Sequence, residues 1–495
     1  MSKKFIALCL VVFLVCIARA DSEEEKSPNR IVSEKLLVQI DFSSWMPKSL
    51  AVSPNNKRVA YSASAEDKRF LLVDGKEGKR YDAIRTPIFS PDSKRLAYVA
   101  QLKDKWFVVL DGKEENQYDI VSQPIFSPDS KCIAYAVEMD NKQFIVVDGK
   151  TQKQYDGIAA NSLTFSPDSK HIAYVAQLKD KWFVVLDGKE ENQYDNISGS
   201  PIFSSDRNRF AYRAKLNDKW FVVIDRSEEK QYDAIGIPIF SPDSKRLAYG
   251  AELASKQFVV VDGKEAKQYD GIGAGTLIFS YDSKRVAYMA RVGNKESVVV
   301  DEEEGKKYDS ILSVPIFSRD SKRVTYPARS GNKSFVVVDG KEGKQYDAIL
   351  DNSLIFSPDS KHVLYAVEVE NKRFVVVDEK EGTRYDAIGE NTPILSPSGK
   401  RLAYAAQISD KEFVVVNGKE QRKYDGILNG NLAFFEETRH MAYVVGASGR
   451  LLFYSPGGEL FLMLKGGRIV FDSFDNLNYL ALKGNSIYLL EERIE

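Results

Sequence analysis

The chain has 495 residues, 43% of them hydrophobic, 11% aromatic and 28% charged, which is a globular make-up too long for one ordinary core unless repeated units share it. Lys and Arg number 70 against 71 Asp and Glu, so no basic field points to nucleic acid and no acidic excess points to disorder. Cys9 and Cys16 lie near the start, leaving Cys132 alone in the rest of the chain, where it has no partner for an internal disulfide.

The first twenty residues stand apart. Lys3 and Lys4 precede an apolar run from Phe5 to Ile17, and Ala18-Arg19-Ala20 follows. Basic start, apolar core and small-residue end make the pattern of a secretory signal peptide over 1–20. The run falls short of the roughly 20 residues that a spanning helix needs. A retained anchor is the alternative, and a lipoprotein reading on Cys16 meets Val15 where a small residue is wanted. The expected protein is exported, periplasmic or extracellular, with no membrane span after the signal is removed. Residues 21–34 read as a polar leader, and "KLLVQI" (35–40) as a strand.

From there a turn recurs. Aligning its serine gives Ser53, Ser90, Ser127, Ser166, Ser204, Ser241, Ser280, Ser318, Ser357 and Ser396, at intervals of 37 to 39 residues. That period signals a repeat array. Residues 98–119 and 174–195 are identical, as after duplication of a two-repeat block. Residues 87–119 show the unit. Strand A is "PIFS", and "SPDSK" is a type I turn with Pro91 presetting φ and Asp92 and Ser93 bonding locally. Strand B is "RLAYVA", a polar loop leads to strand C "WFVVL", "DGK" supplies the positive-φ hairpin turn, and strand D is "NQYD". Strands B and C are apolar on both faces and must be covered on both. Strand A opens on proline at Pro87, Pro124, Pro201, Pro238, Pro315 and Pro393, which belongs on an edge. Strand D mixes charge with tyrosine, as an outer edge should.

Small four-stranded sheets, covered on both faces by neighbours and arranged around an axis, make an all-β propeller. Beyond Asp425 the pattern decays: 431–465 keeps four strand-like runs and 468–492 only three. The N-terminal strand can supply the missing one, pairing with Ser486–Glu491 and closing the ring. That counts about twelve blades. Two six-bladed rings, with halves at 35–270 and 271–495, are the preferred partition and one large ring the alternative.

The "FSPDSKRLAY" signature over roughly 50–430 resembles the WD40-like propeller repeat of the Tol-system translocation protein and of the prolyl oligopeptidase family. The resemblance implies a β-propeller and says little about activity. No G-x-S-x-G elbow or α/β region accompanies the repeats, which departs from the oligopeptidase pattern and argues against peptidase activity.

Tyr-Asp ends strand D in ten repeats, from Tyr81-Asp82 to Tyr424-Asp425. A catalytic site is one asymmetric constellation, so ten equivalent copies read as a blade staple: tyrosine packs between blades and aspartate bonds the next turn. His171, His362 and His440 occupy the Lys/Arg slot after the A–B turn and read as surface residues; Cys132 fills the same slot. Metal and cofactor motifs are absent, so none is expected. What varies is the D–A connections, among them "IRT", "IGI", "ILSV" and "ILDNS", which are expected to ring one mouth of the channel beside the B–C loops. Candidate binding residues there are Trp106, Trp182 and Trp220, which can equally pack between blades, and the acidic Asp351 and Glu390. The functional expectation is an exported, monomeric, non-enzymatic binding or scaffold module for a protein or glycan partner in the cell envelope. The alternative is a propeller hydrolase or lyase acting on glycans, with Asp351 and Glu390 facing each other at the mouth.

Overall fold

A computed structural model describes residues 30–39, 44, 46, 49, 51–55, 57–389, 392–396, 399–409 and 411–420, and beyond them the strands at 433–434, 441–447, 450–454, 460–462, 470–471, 477–483 and 486–494. The expected signal segment, Glu390, Tyr424 and His440 lie outside the described residues. Every regular element described is a strand, and the strands form twelve antiparallel sheets in chain order. The fold is a β-propeller. Repeats are numbered below by their turn serines, Ser53 marking the first and Ser396 the tenth.

The second repeat shows how residues make a blade. Strand B, Leu96–Leu102, pairs with strand C, Lys105–Leu110, across a tight turn. Asp111 (φ 51) and Gly112 (φ 82) supply the left-handed pair of a type I′ hairpin, and Lys113–Glu114 begins strand D. Strand D then leaves the ladder and returns at one bridge, Trp106 opposite Tyr118, so it is less continuous than "NQYD" suggested.

Strand A is longer than expected. Ala83–Ile84 and Ile88–Phe89 both pair with strand B, Ile84 opposite Ala100 and Ile88 opposite Ala97. The stretch taken as a D–A connection is therefore a bulge inside strand A, three residues facing two. In the fourth, seventh, ninth and tenth repeats it widens to five against two, as at Ile158 opposite Ala176 and Thr164 opposite Ala173.

Packing runs between sheets. Leu96, Tyr98, Ala100, Phe107 and Val109 face the first repeat, and Ala97, Val99 and Val108 face the third. The Tyr-Asp pair crosses each junction among the described residues from the first repeat to the tenth. Tyr81 ends the first repeat yet is buried in the second, its ring 6.3 Å from Tyr98 and 5.6 Å from Phe107, edge-on. Asp82 accepts from Lys68 Nζ in its own repeat (2.5 Å) and from the Lys103 backbone N–H in the next repeat's B–C turn (2.5 Å). These bonds hold its carboxyl below the usual range, the Lys68 bond most. The same pair of bonds recurs through Asp386, with Lys372 and the Ser409 amide. The staple reading of Tyr-Asp is what these residues do.

The turn serine at the Ser93 position departs from expectation. It sits at φ 67 and is buried, and its hydroxyl accepts not locally but from the Asn55 amide of the preceding repeat (3.0 Å). Ser130 does the same for Asp92 and Ser244 for Asp206. The "SPDS" turns thus latch neighbouring blades as well as closing hairpins.

At the ends, Arg30–Gln39 runs antiparallel to Ser486–Ile494, with Lys35 opposite Leu489 and Leu36 opposite Tyr488. The N-terminal strand joins the last sheet as expected, but begins at Arg30, inside the stretch taken as a polar leader. Ser44 and Met46 already bond strand B of the first repeat, through Ser64 N–H to Ser44 O and Met46 N–H to Ser62 O. Five residue steps from Gln39 to Ser44 span at most about 18 Å, so last and first sheets lie close together. At residue 270, the boundary of the two expected halves, Asp270 accepts from the Gly293 amide and Asp243 N–H donates to Ser283 Oγ. The array passes that junction with the bonds found at its neighbours.

Candidate functional site

The two sheet edges differ in exposure, and this marks the candidate site. Strand D is charged and exposed, as Lys113–Glu114 and Lys150–Thr151 show. It is the outer edge of a fanned blade, so strand A is the edge toward the axis. The bulge in strand A is where side chains differ from repeat to repeat, and it stands on a scaffold otherwise held by repeat-wide bonds.

Each bulge is closed locally. In the wide ones a hydroxyl bonds back across it: Ser162 Oγ donates to Ala159 O and accepts from Val175 N–H, and Ser353 and Thr276 act alike. Asn161 (φ 59), Asn352 (φ 54) and Gly275 (φ 70) supply the left-handed turn before it. Bulges are also tied to one another, Gln123 Nε2 to Thr86 O (3.0 Å) and Ser200 Oγ to Asn161 O (2.7 Å).

The tips carry apolar side chains into solvent. Ile237 is 67% exposed and Val314 38%, each just before the strand A proline. Between the bulges of the eighth and ninth repeats lies a cavity of about 190 Å³, walled by Leu312, Val314, Pro327, Leu350, Asp351 and Leu354. Asp351 is exposed at its rim. Of the acidic pair proposed for a glycan enzyme, only Asp351 is described, since Glu390 falls outside the described residues. Among the described residues no group of three or more His, Cys, Asp and Glu could hold a metal, and no helix is long and apolar enough to cross a membrane.

The three tryptophans are half-buried at the start of strand C. Trp106 packs against the core between the second and third repeats, Trp182 against that between the fourth and fifth. Arg85, a bulge residue, stacks over Trp106 at 4.4 Å and donates to Val121 O of the third repeat (2.7 Å). Gln143 stands in the same slot and accepts from the Ile158 amide of the next repeat (2.7 Å). The slot therefore looks toward the following blade rather than outward.

His171 and His362 lie on the rim of A–B and C–D turns, far from the bulges. Each bonds through Nδ1 to an aspartate of its own repeat, Asp187 (2.7 Å) and Asp378. Burial raises the Cys132 thiol, and the neighbouring Asp148 adds to it, which makes the thiolate less available. The latching serines and the bulge-closing Ser/Thr escaped the sequence reading. Their signal was there: the second serine of "SPDS" and the Asn-Ser and Gly-Thr pairs recur in register.

No family model and no curated protein matches this sequence. Among solved structures it is similar to a eukaryotic initiation factor, at 13% identity over 67% of this chain and 96% of that one, TM-score 0.35. TolB from Acinetobacter baumannii is 16% identical over 50% of this chain and 77% of that one, TM-score 0.22. The β-propeller domain of the Trilobed protease from Pyrococcus furiosus is 15% identical over 54% and 95%, TM-score 0.26. These are likenesses of fold alone.

Proposed function

We propose that this chain is a non-enzymatic binding module that recognises a protein partner in the cell envelope through the bulged inner edges of its blades. The observation that carries this is the contrast at strand A: residues that differ between repeats, Ile237 and Val314 among them, project apolar surface from a scaffold whose other positions repeat. Loops and bulges on a rigid frame are where binding function concentrates. Exposed aliphatic side chains suit a protein surface better than a sugar, and Trp106 has its ring covered by Arg85. The exported setting rests on the sequence pattern of residues 1–20.

The test is affinity capture from envelope extract with the mature chain, beside Ile237→Asp and Val314→Asp variants. A specific protein captured by the parent and lost by both variants supports the reading. A partner held equally by the variants removes it. Turnover of a glycan or peptide library by the purified chain moves the assignment to the enzyme alternative.

A further inference from the structure

At most junctions two ties close the rim of A–B and C–D turns. The arginine after the turn bonds an aspartate of its own repeat, stacks over a phenylalanine of the next and donates to a backbone carbonyl there. Arg209, for example, lies 2.9 Å from Asp225, 5.4 Å from the Phe240 ring centroid and 2.8 Å from Lys245 O. The second tie is the serine latch, Asp206 N–H to Ser244 Oγ at 2.7 Å.

Between the fourth and fifth repeats both ties are replaced. His171 stands for the arginine and its ring stops at Asp187 in its own repeat. Arg207 stands for the latching serine. A cavity of about 290 Å³ opens there, with Leu186, Phe203 and Phe210 among its walls, Arg207, Arg209 and Arg226 around it, and the carboxylates of Asp187 and Asp225 in its lining, paired with His171 and Arg209. Phe203 is the counterpart of Phe240, the ring that an arginine covers elsewhere. The third repeat also lacks the arginine, at Cys132, but keeps its latch through Ser169. The ninth has His362, but the latch position after it is Gly399, which brings no cation.

The two new arginines occupy left-handed positions, and the serines of Arg207's slot elsewhere do so too, Ser244 at φ 66 for example. Arg207 and Arg226 both sit at φ 74, in the left-handed region that favours glycine. Most other repeats put serine in the first slot and glycine in the second. Arg226 spends its Nε on Glu191, 3.0 Å from both carboxylate oxygens. Arg209 is committed to Asp225 and Lys245 O, and His171 to Asp187. Arg207 is exposed; its backbone N–H donates to Ser204 O (3.0 Å), while its guanidinium makes no hydrogen bond or ion pair among the described residues. An uncommitted guanidinium beside the apolar patch of Leu186, Phe203 and Phe210, in a cavity whose other walls are charged, is complementary to an anion on an apolar body, and the volume is at the small end for a ligand pocket.

We propose that this cavity captures the C-terminal residue of a peptide, its carboxylate on Arg207 and its aromatic or branched aliphatic side chain on Phe203, Phe210 and Leu186. The apolar group takes the seat over Phe203 that the chain's own arginine fills at other junctions. The site lies on the turn rim, apart from the strand A bulges, and stands independently of the function proposed for them.

The experiment is calorimetric titration of the mature chain with Ala-Ala-Ala-Phe as the free acid and as the C-terminal amide, with N-acetylphenylalanine and with inorganic phosphate. The free acid is expected to bind at least about tenfold tighter than the amide, the worth of one charge-assisted hydrogen bond. Arg207→Ser restores the residue of most other repeats, so folding is not at risk, and is expected to lose that preference. His171→Arg is expected to fill the cavity, abolish binding and raise Tm. The proposal is overturned if acid and amide bind alike, if neither binds, or if Arg207→Ser binds as the parent does. N-acetylphenylalanine binding as tightly as the peptide would assign the cavity to a free small acid instead. Phosphate binding as tightly, with the same sensitivity to Arg207→Ser, would make it a bare oxyanion site.

Discussion

The junction between the fifth and sixth repeats and the one before it share a core and differ at the rim. Tyr232 enters the sixth repeat 6.3 Å from Tyr249 and 5.5 Å from Phe258, and Tyr194 enters the fifth 6.2 Å from Tyr212 and 5.4 Å from Phe221. Each hydroxyl reaches a glutamate of the following blade, Glu265 at 2.9 Å and Glu228 at 2.8 Å. At the rim, the later junction is tied by Arg209 and Ser244, while the earlier has His171 and Arg207. Buried tyrosine and valine define the stacking, and a rim tie can be exchanged for other chemistry without altering it. A repeat protein distributes stability over its neighbour interfaces, so one rim can be given up.

If that division is right, truncating the staple should cost the same on either side. Tyr194→Ala and Tyr232→Ala are each expected to destabilise by about 3–5 kcal/mol, as for removal of a buried aromatic, measured by urea unfolding. A markedly smaller cost for Tyr194→Ala would mean that the earlier junction is already loose at its core. A smaller effect is expected at the seam between chain ends. Deleting residues 30–39 removes the partner of Ser486–Ile494 and is expected to cost about 3 kcal/mol net, lower Tm and promote aggregation by baring a sheet edge. An unchanged melting curve would show that the seam carries no stability.

Arg209→His imposes the fourth repeat's state on the later junction. Losing the stacked guanidinium and its carbonyl bond should cost about 1–2 kcal/mol, and a loss near zero would show that the rim tie is ornamental. The smallest single-site effect concerns pH. The Ser204 hydroxyl, and after it the Asn208 amide, holds the Asp206 carboxyl down to about 2, and the Ser166 hydroxyl lowers Asp168. A carboxyl depressed by folding contributes stability that is fully present above its unfolded value, 3.8 here, and lost as pH falls through the folded one. Tm should therefore hold from pH 7 to about 5 and fall between about 4 and 2. Asp206→Asn should blunt that fall slightly, and an equal slope in the variant would remove Asp206 from it.

Much of this was legible in the residues. "SPDSK", "VVDGK" and Tyr-Asp spell their roles because each is local chemistry: a proline-set turn, a left-handed pair, an aromatic and an acid at a sheet end. The bulge was misplaced because "IRT" or "ILDNS" has no strand period of its own. Its pairing is decided by Ile84 and Ile88 meeting Ala100 and Ala97 on the neighbouring strand. Trp106 could be taken for an exposed anchor until Arg85 and the third repeat were seen to cover it.

By itself the sequence determined the all-β class, the repeat period, the two hairpin turns and the need for an N-terminal strand to complete the last sheet, because periodicity and turn geometry act within a few residues. Only the tertiary structure decided that Ser93 serves its neighbour rather than its own turn, and that replacing an arginine by His171 and a serine by Arg207 opens one cavity. Positions 171 and 207 are 36 residues apart in the chain and meet only because one blade stacks on the next. Contacts between repeats depend on that stacking, which no single repeat can encode.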